Sequence, residues 1–398
     1  MPAPATGGPQ PDPGVQATSI FSSAPPAASP RLEVVDVLRG FSLLGIWLVH
    51  FLITFVGQRG DGTGPAGPPS AGETAVRLGV DAFVIGKFFS IFSLLFGLGF
   101  ALQLRSAGAK GQPYTARFVW RLVLLGALGW LHRMLFEFEI LHVYAVVGLL
   151  LVLVYRWCNK WLLCASALLF VGGACFAYSL APATALFTQA FGEAAGSFLV
   201  DEFSGFRVLS IAALFVLGLY LGRRDAFADT AANRVFFNRI LVAAAVAFFG
   251  LRLSYNQLAS AFGAGLATRF YDTFFILKSL AVSALYVAGM VQLYRQPPFR
   301  RALAWLGPLG KMGLTTYVLQ SLGLLLFAWY CRHYVGPATI PLKWALGAAM
   351  LLFAAQAAVA HSWMRRFRYG PLEWLWRSAT YLQWQPLRRG LKGEAKLL

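Results

Sequence analysis

The residues best suited to chemistry near the start of the chain are Asp36, Arg39 and His50, which interrupt the apolar run of residues 31–55. In an α-helix the steps from Arg39 to His50 complete whole turns with about 20° left over, and Asp36 lies about 40° from His50. The three side chains therefore share one face, with Arg39 and His50 roughly 16 Å apart along the axis. Because an ionisable group inside a membrane is costly, this face is a candidate functional site.

A second polar group lies around residues 132–144. Glu139 and His142 are three residues apart, a spacing that lets a carboxylate orient an imidazole or raise its pKa. His132 precedes them in the chain. An ordinary interfacial turn with solvated charges explains this group equally well. For His50, the corresponding alternative is a histidine satisfied within a helix bundle.

The composition indicates which elements must position these groups. The chain has 398 residues, of which 58% are hydrophobic and 13% charged. Apolar runs of about twenty residues are typical of membrane-spanning helices, which satisfy their own backbone in lipid. We predict an all-α, polytopic transmembrane bundle of about ten spans. The predicted spans are residues 37–56, 80–104, 118–136, 139–157, 161–181, 204–222, 239–259, 272–294, 312–331 and 341–362.

The net charge of +18 follows from the membrane topology. With the N-terminus in the cytoplasm, most Lys and Arg residues fall in inner segments, as the positive-inside rule requires. We therefore predict that both termini are cytoplasmic. The expected partner of the basic surface is the lipid bilayer and not nucleic acid. The expected location is the plasma membrane, taken to be the cytoplasmic membrane of a bacterium.

The chain divides into three predicted parts. Residues 1–30 are rich in Pro and Ala and contain no Lys or Arg, so we predict a disordered cytoplasmic tail and no signal peptide. Residues 31–385 form the transmembrane domain, and residues 386–398 form a basic tail. In the second span, Ser90, Ser93 and Gly97 share a face that lets another helix approach closely. The four cysteines have no CxxC spacing, so no metal is expected.

Five motifs are spread over residues 31–385: DVLRGFSLLGIWL, KFFSIFSLLFGLGF, EILHVYAVVGLLL, LGKMGLTTYVLQS and YGPLEWLWRSATY. Together they resemble one family, the YeiB-like membrane proteins known as domain of unknown function 418. The family's activity is not settled, so the resemblance implies the architecture. Family members tend to have Asn at the place of His50, Asp at that of Glu139 and Asn at that of Thr316.

The spacing of Arg39 and His50 is similar to the first-helix signature of membrane acyltransferases of the acyltransferase-3 type. This similarity favours transfer of an acyl group from acyl-CoA to a hydroxyl or amine of an envelope or secreted molecule, the expected acceptor being a small molecule or a glycan. His50 is the expected general base. Glu139 or Asp36 is expected to orient it, and His142 completes the catalytic set. The loop of residues 57–72, rich in Gly and Pro, is expected to admit the acceptor.

Basic residues of the inner segments are expected to meet the donor's phosphates. The predicted donor-binding residues are Arg39, Lys87, Arg117 and Arg121, with Arg105 and Lys110 nearby. Transport is the competing function. A proton-coupled carrier or exporter would also use ionisable residues within a helix bundle, here Lys87, Lys278, Asp36 and His50. A non-enzymatic envelope scaffold is the third hypothesis.

Overall fold

The structure is a computed structural model that describes residues 30–56, 71–109, 114–136, 138–176, 189, 205–335 and 342–389. The predicted N-terminal tail, most of the loop at 57–72, Lys110 and the end of the basic tail lie outside these ranges. The described helices are α1 (Pro30–Val56), α2 (Ala71–Phe83), α3 (Phe88–Gly108), α4 (Thr115–Arg133), α5 (Leu141–Val154), α6 (Asn159–Phe176), α7 (Gly205–Arg223), α8 (Ala231–Tyr294), α9 (Pro297–Leu303), α10 (Leu306–Lys311), α11 (Gly313–Tyr330), α12 (Leu342–Arg366) and α13 (Pro371–Tyr381).

The all-α, membrane-spanning fold class is confirmed. Six segments of the described chain are long and apolar enough to cross a bilayer. The number of about ten spans and the cytoplasmic position of both termini stay predictions. The six segments are Glu33–Phe55, Thr74–Gly108, Ala231–Leu258, Thr273–Tyr294, Gly313–Tyr330 and Lys343–Arg366.

Helix α8 differs from the sequence-based division of this region. The predicted spans 239–259 and 272–294 lie in one continuous helix of 64 residues. The residues between the two spans contain no proline, so nothing removes a backbone donor or ends the helix there. The two apolar segments of α8 remain separate candidate spans, joined by helical backbone and not by a loop.

Glycines let the central helices pack backbone against backbone. A Cβ on Gly97 of α3 would collide with the Phe215 carbonyl of α7, and one on Gly218 would collide with the Leu94 carbonyl. This contact confirms the close approach predicted from the small residues of the second span. Helices α1 and α10 meet in the same way, because a Cβ on Gly310 would collide with the Asp36 carbonyl.

We expect Gly97→Ala to destabilise the bundle by about 1–3 kcal/mol, because the added methyl forces the α3 and α7 backbones apart. Gly323→Ala is the matched control, since Gly323 is also within a helix and a Cβ there meets no atom within 4 Å. Thermal unfolding of both variants in detergent measures the difference. Equal melting temperatures for the two variants would contradict the close packing.

Helices α4 and α5 form a hairpin whose turn holds most of the second polar group. A Cβ on Gly129 would collide with the His142 backbone, so this glycine lets the two helices close. Helix α5 has 14 residues and therefore rises about 21 Å, less than the roughly 30 Å of a hydrocarbon core. Met134 and Leu135 at the turn are exposed, whereas His132 and Glu139 are buried. The turn thus directs apolar side chains outward and ionisable ones into the bundle.

Candidate functional site

One cavity of the helix bundle has an apolar interior and a basic rim. Its volume is about 320 Å³. The rim carries four cations and one acid, Glu373. The cations are Arg39, Arg121, Lys311 and Arg377. The apolar and aromatic walls include Phe92, Leu95, Phe96, Phe100, Phe118, Leu122, Leu125 and Trp376. We call this space the basic-rimmed cavity; it suits a ligand with an anionic part and an apolar part.

Local contacts hold the rim cations in place. An Asp36 carboxylate oxygen accepts a hydrogen bond of 3.1 Å from the Arg39 guanidinium. Arg121 donates to the Gln103 side chain and lies 4.3 Å from the centre of a Trp376 ring. Such stacking keeps a guanidinium charged while fixing its plane. Two of the four rim cations, Arg39 and Arg121, are therefore fixed in position by their neighbours.

Helix α13 closes one side of this cavity through Glu373. Its carboxylate accepts hydrogen bonds from the backbone N–H groups of Leu314 (2.6 Å) and Thr315 (3.1 Å) and from the Thr315 hydroxyl (2.6 Å). Glu373 thus caps the first turn of α11 from another helix. Burial raises the pKa of Glu373, and the hydrogen bonds from Thr315 oppose that rise. The C-terminal segment is part of the site's wall as well as a basic and aromatic tail.

A second cavity, of about 220 Å³, contains His50. We call it the His50 chamber. Tyr317 lines both this chamber and the basic-rimmed cavity. The His50 ring lies 6.3 Å from the Tyr317 ring and 5.0 Å from the Phe136 ring, measured between centroids. The two cavities are therefore separated at this point by one aromatic side chain.

Beside Tyr317 lies a buried hydrogen-bonded pair of His132 and Glu139. The His132 Nδ1 contacts the Glu139 carboxylate, and the two residues are 4% and 1% exposed. Glu139 also accepts the N–H groups of Ile140 and Leu141 and so caps α5. The His132 Nε2 has no hydrogen-bond partner among the described residues. The His132 ring lies 5.5 Å from that of Tyr317, whose buried hydroxyl lies beside Glu139 without a well-formed hydrogen bond.

These contacts replace the pairing expected for His50. Glu139 pairs with His132 and forms no ion pair with His50, and Asp36 pairs with Arg39 at the other end of the face. The reason is tertiary: the α4–α5 turn folds Glu139 back onto the end of its own hairpin. His142 is buried, with its ring 5.6 Å from that of Trp130. The structure brings His50 and the Glu139 pair together around Tyr317 and leaves Asp36 outside the lining of both cavities, beside Arg39.

The four predicted donor-binding residues separate into two groups. Arg39 and Arg121 line the basic-rimmed cavity, whereas Lys87 and Arg117 do not. The Lys87 ammonium donates to the backbone carbonyls of Asp81 and Ile85, both at 2.6 Å. The Lys87 ammonium is thus bound by carbonyls at the end of α2 and in the connection between α2 and α3.

Arg117 and the nearby Arg105, which were also expected to meet the donor, contact other parts of the chain. The Arg117 guanidinium lies 5.2 Å from the centre of the Tyr381 ring on α13. Arg105 forms a 3.3 Å ion pair with Asp225 and donates to the Gly222 carbonyl. Both residues therefore serve contacts between segments at the basic end, and neither lines the basic-rimmed cavity.

We did not predict Lys311, Tyr317 or Glu373 as site residues from the sequence. Lys311 lies in a predicted cytoplasmic segment with other cations, and Tyr317 lies among polar and small residues of the span 312–331, a pattern typical of helix packing. Two of the five motifs, LGKMGLTTYVLQS and YGPLEWLWRSATY, contain all three residues and could have identified them. Among the described residues, no group of three or more His, Cys, Asp or Glu side chains could hold a metal ion.

The helical fold, the apolar segments and the enclosed ionisable groups define an integral membrane protein of the α-helical class. Residues 221–383 match the family described as protein of unknown function DUF418, which confirms the resemblance inferred from the motifs. The matched part contains α8 to α13 and therefore Lys311, Tyr317 and Glu373.

Two relatives are similar along nearly the whole chain. "Uncharacterized protein YxaH" of Bacillus subtilis (strain 168) is 25% identical, over 94% of this chain and 100% of the relative. "Uncharacterized 39.9 kDa protein in amylase 3'region" of Bacillus acidopullulyticus is 28% identical, over 93% of this chain and 99% of the relative. No solved structure matches the chain.

Proposed function

We propose that this protein is a membrane acyltransferase that moves an acyl group from acyl-CoA to a hydroxyl or amine of a small molecule or glycan. The observation that supports the proposal is the basic-rimmed cavity, whose cations suit the phosphates of CoA and whose apolar walls suit an acyl chain. The Bacillus relatives favour a bacterial cytoplasmic membrane as its location. In this orientation the basic rim faces the cytoplasm, where acyl-CoA is made.

The reaction takes place where the two cavities meet at Tyr317. The acceptor occupies the His50 chamber, and the thioester reaches Tyr317 from the basic-rimmed cavity. His50 takes the proton from the acceptor as its oxygen or nitrogen attacks the thioester carbon. The carbon–sulfur bond then breaks, and His50 returns the proton to the CoA sulfur. The His132–Glu139 pair packs against the same Tyr317 ring and fixes the wall of the site beside His50.

The test is to block the cavity without removing a charge. A Cβ on Gly99 points toward the Arg39 guanidinium at the rim, and Gly99 lines the cavity. We expect Gly99→Leu to raise the KM for acyl-CoA by about ten-fold or more, because the side chain occupies the donor's path. Release of free CoA by the purified protein, with short and long acyl-CoA donors and a panel of hydroxyl and amine acceptors, provides the measurement.

Gly323→Leu is the matched control, because a side chain there meets no neighbouring atom. It should leave the KM unchanged. Absence of acyl-CoA binding and of CoA release with every donor and acceptor would overturn the proposal. A Gly99→Leu protein that binds acyl-CoA as well as the Gly323→Leu protein would place the donor elsewhere.

Transport of a small molecule is the second candidate, and the arrangement of the two cavities favours it. The basic-rimmed cavity and the His50 chamber approach Tyr317 from opposite ends of α1, with one side chain between them. A carrier with a central gate has this geometry. Proteoliposomes separate the two functions: a carrier accumulates or expels its substrate and loses that activity when the proton gradient collapses, whereas an acyltransferase consumes acyl-CoA and leaves a modified product.

A further inference from the structure

A third cavity lies next to the rim of the first, and its lining contains more cations than acids. Its volume is about 610 Å³, and it is lined by four cations and two acids. The cations are Arg295, Arg300, Arg301 and Lys311. Arg295 and Arg300 are bound to Asp229 (3.2 Å) and Glu33 (2.8 Å). We call this space the Arg301 cleft.

Two of its cations are available to a ligand. Arg301 and Lys311 are exposed, and neither forms an ion pair with a described residue. Basic residues at this end of a membrane protein also serve the positive-inside rule. These two differ from a scattered interfacial set because they face into one concave space. Tyr294 and Pro297 supply apolar surface in the same cleft. A group with several negative charges and a flat ring fits this lining.

The cleft and the basic-rimmed cavity are neighbours that share one lining residue. Lys311 lines both spaces. The Asp36–Arg39 pair stands between them, since Arg39 lines the first cavity and Asp36 lines the cleft. A ligand that extends past Lys311 can therefore occupy both, with an apolar end in the cavity and a polyanionic end in the cleft.

We infer that the Arg301 cleft binds the phosphorylated nucleotide of the acyl-CoA donor, while the acyl and pantetheine parts occupy the basic-rimmed cavity. This inference rests on the proposed function and adds a separate subsite to it. Arg301 and Lys311 donate hydrogen bonds to the phosphates. The pair formed by Asp36 and Arg39 keeps Arg39 directed toward the first cavity.

The probe is adenosine bisphosphate, the nucleotide of CoA without its acyl arm, added to the full chain in nanodiscs of phosphatidylcholine. We expect Arg301→Gln to weaken its binding about ten-fold, the effect of one charge-assisted hydrogen bond. Arg365→Gln is the matched control, because Arg365 is an exposed cation near the same end that lines neither cavity. It should leave the dissociation constant unchanged.

A second measurement uses two donors. Arg301→Gln should raise the KM for acyl-CoA by about the same factor and leave the KM for S-acyl pantetheine, which has no nucleotide, unchanged. Equal binding of adenosine bisphosphate by the two arginine variants would overturn the subsite. So would displacement of that probe by phosphatidylglycerol in the nanodisc together with unchanged use of acyl-CoA by Arg301→Gln, because the cleft would then hold a lipid headgroup.

The two proposals can fail separately. If no donor supports transfer but nucleotide binding depends on Arg301, the acyltransferase proposal fails and the nucleotide site stands. If transfer from acyl-CoA proceeds equally in Arg301→Gln and the unchanged protein, the nucleotide subsite fails and the acyltransferase proposal stands.

Discussion

His50→Ala is expected to lower the rate of acyl transfer by about 10²–10⁴-fold, the contribution of a positioned general base. The substitution removes the imidazole from the His50 chamber and leaves the donor's cavity intact. The KM for acyl-CoA should therefore change little while kcat falls. The measurement is CoA release by the purified variant at saturating donor and acceptor.

The control for this variant is His361→Ala, since His361 is exposed on α12. Both proteins should insert and unfold like the unchanged chain. Full activity in His50→Ala would exclude His50 as the base. The base would then be sought at His132, whose Nε2 is buried without a hydrogen-bond partner among the described residues.

Glu139→Ala is expected to lower the free energy of unfolding by about 1–3 kcal/mol, the cost of leaving buried hydrogen-bond donors without their acceptor. The change leaves His132 buried without its carboxylate and removes the acceptor of the N–H groups at the start of α5. Glu139→Gln should lose less, because its amide oxygen still accepts the backbone donors. Denaturant or thermal unfolding in detergent measures both variants.

Arg234→Ala provides the comparison with an exposed ion pair. Arg234 binds Asp229, and their side chains are 58% and 54% exposed. Such a pair contributes about 0–1 kcal/mol, so this variant should remain close to the unchanged protein. A loss in Glu139→Ala no larger than that in Arg234→Ala would show that the buried pair does not stabilise the α4–α5 hairpin.

Much of the fold class could be predicted from the sequence, because lipid restricts the backbone to self-satisfied helices. The apolar runs of α1, α3, α11 and α12 were recognised on this basis. The two apolar segments of α8 were also recognised as separate spans. The structure adds that helical backbone joins them, because no proline between them interrupts the helix. The small-residue face of α3 was recognised because helix contact in lipid depends on close approach.

The candidate site was only partly accessible to sequence reasoning. Periodicity along α1 identified Arg39 and His50, because residues of one helix have fixed angular positions. The periodicity could not show which other helices supply the side chains around Arg39 and His50. Tyr317 comes from α11, and Glu373 comes from α13 and caps α11. Such contacts depend on the packing of segments far apart in the chain.

Composition and helical period are enough to show that this protein is a helical membrane protein with ionisable groups in its helices, and the i,i+3 spacing of Asp36 and Arg39 is enough to place that pair on one face. Helix packing was needed to show that Glu139 binds His132 and that Tyr317 lies between two cavities. The physical reason is the range of the forces involved. Hydropathy and helical period act along the local chain, whereas the partner of a buried charge is fixed by whichever side chain the packed helices bring within a few ångströms.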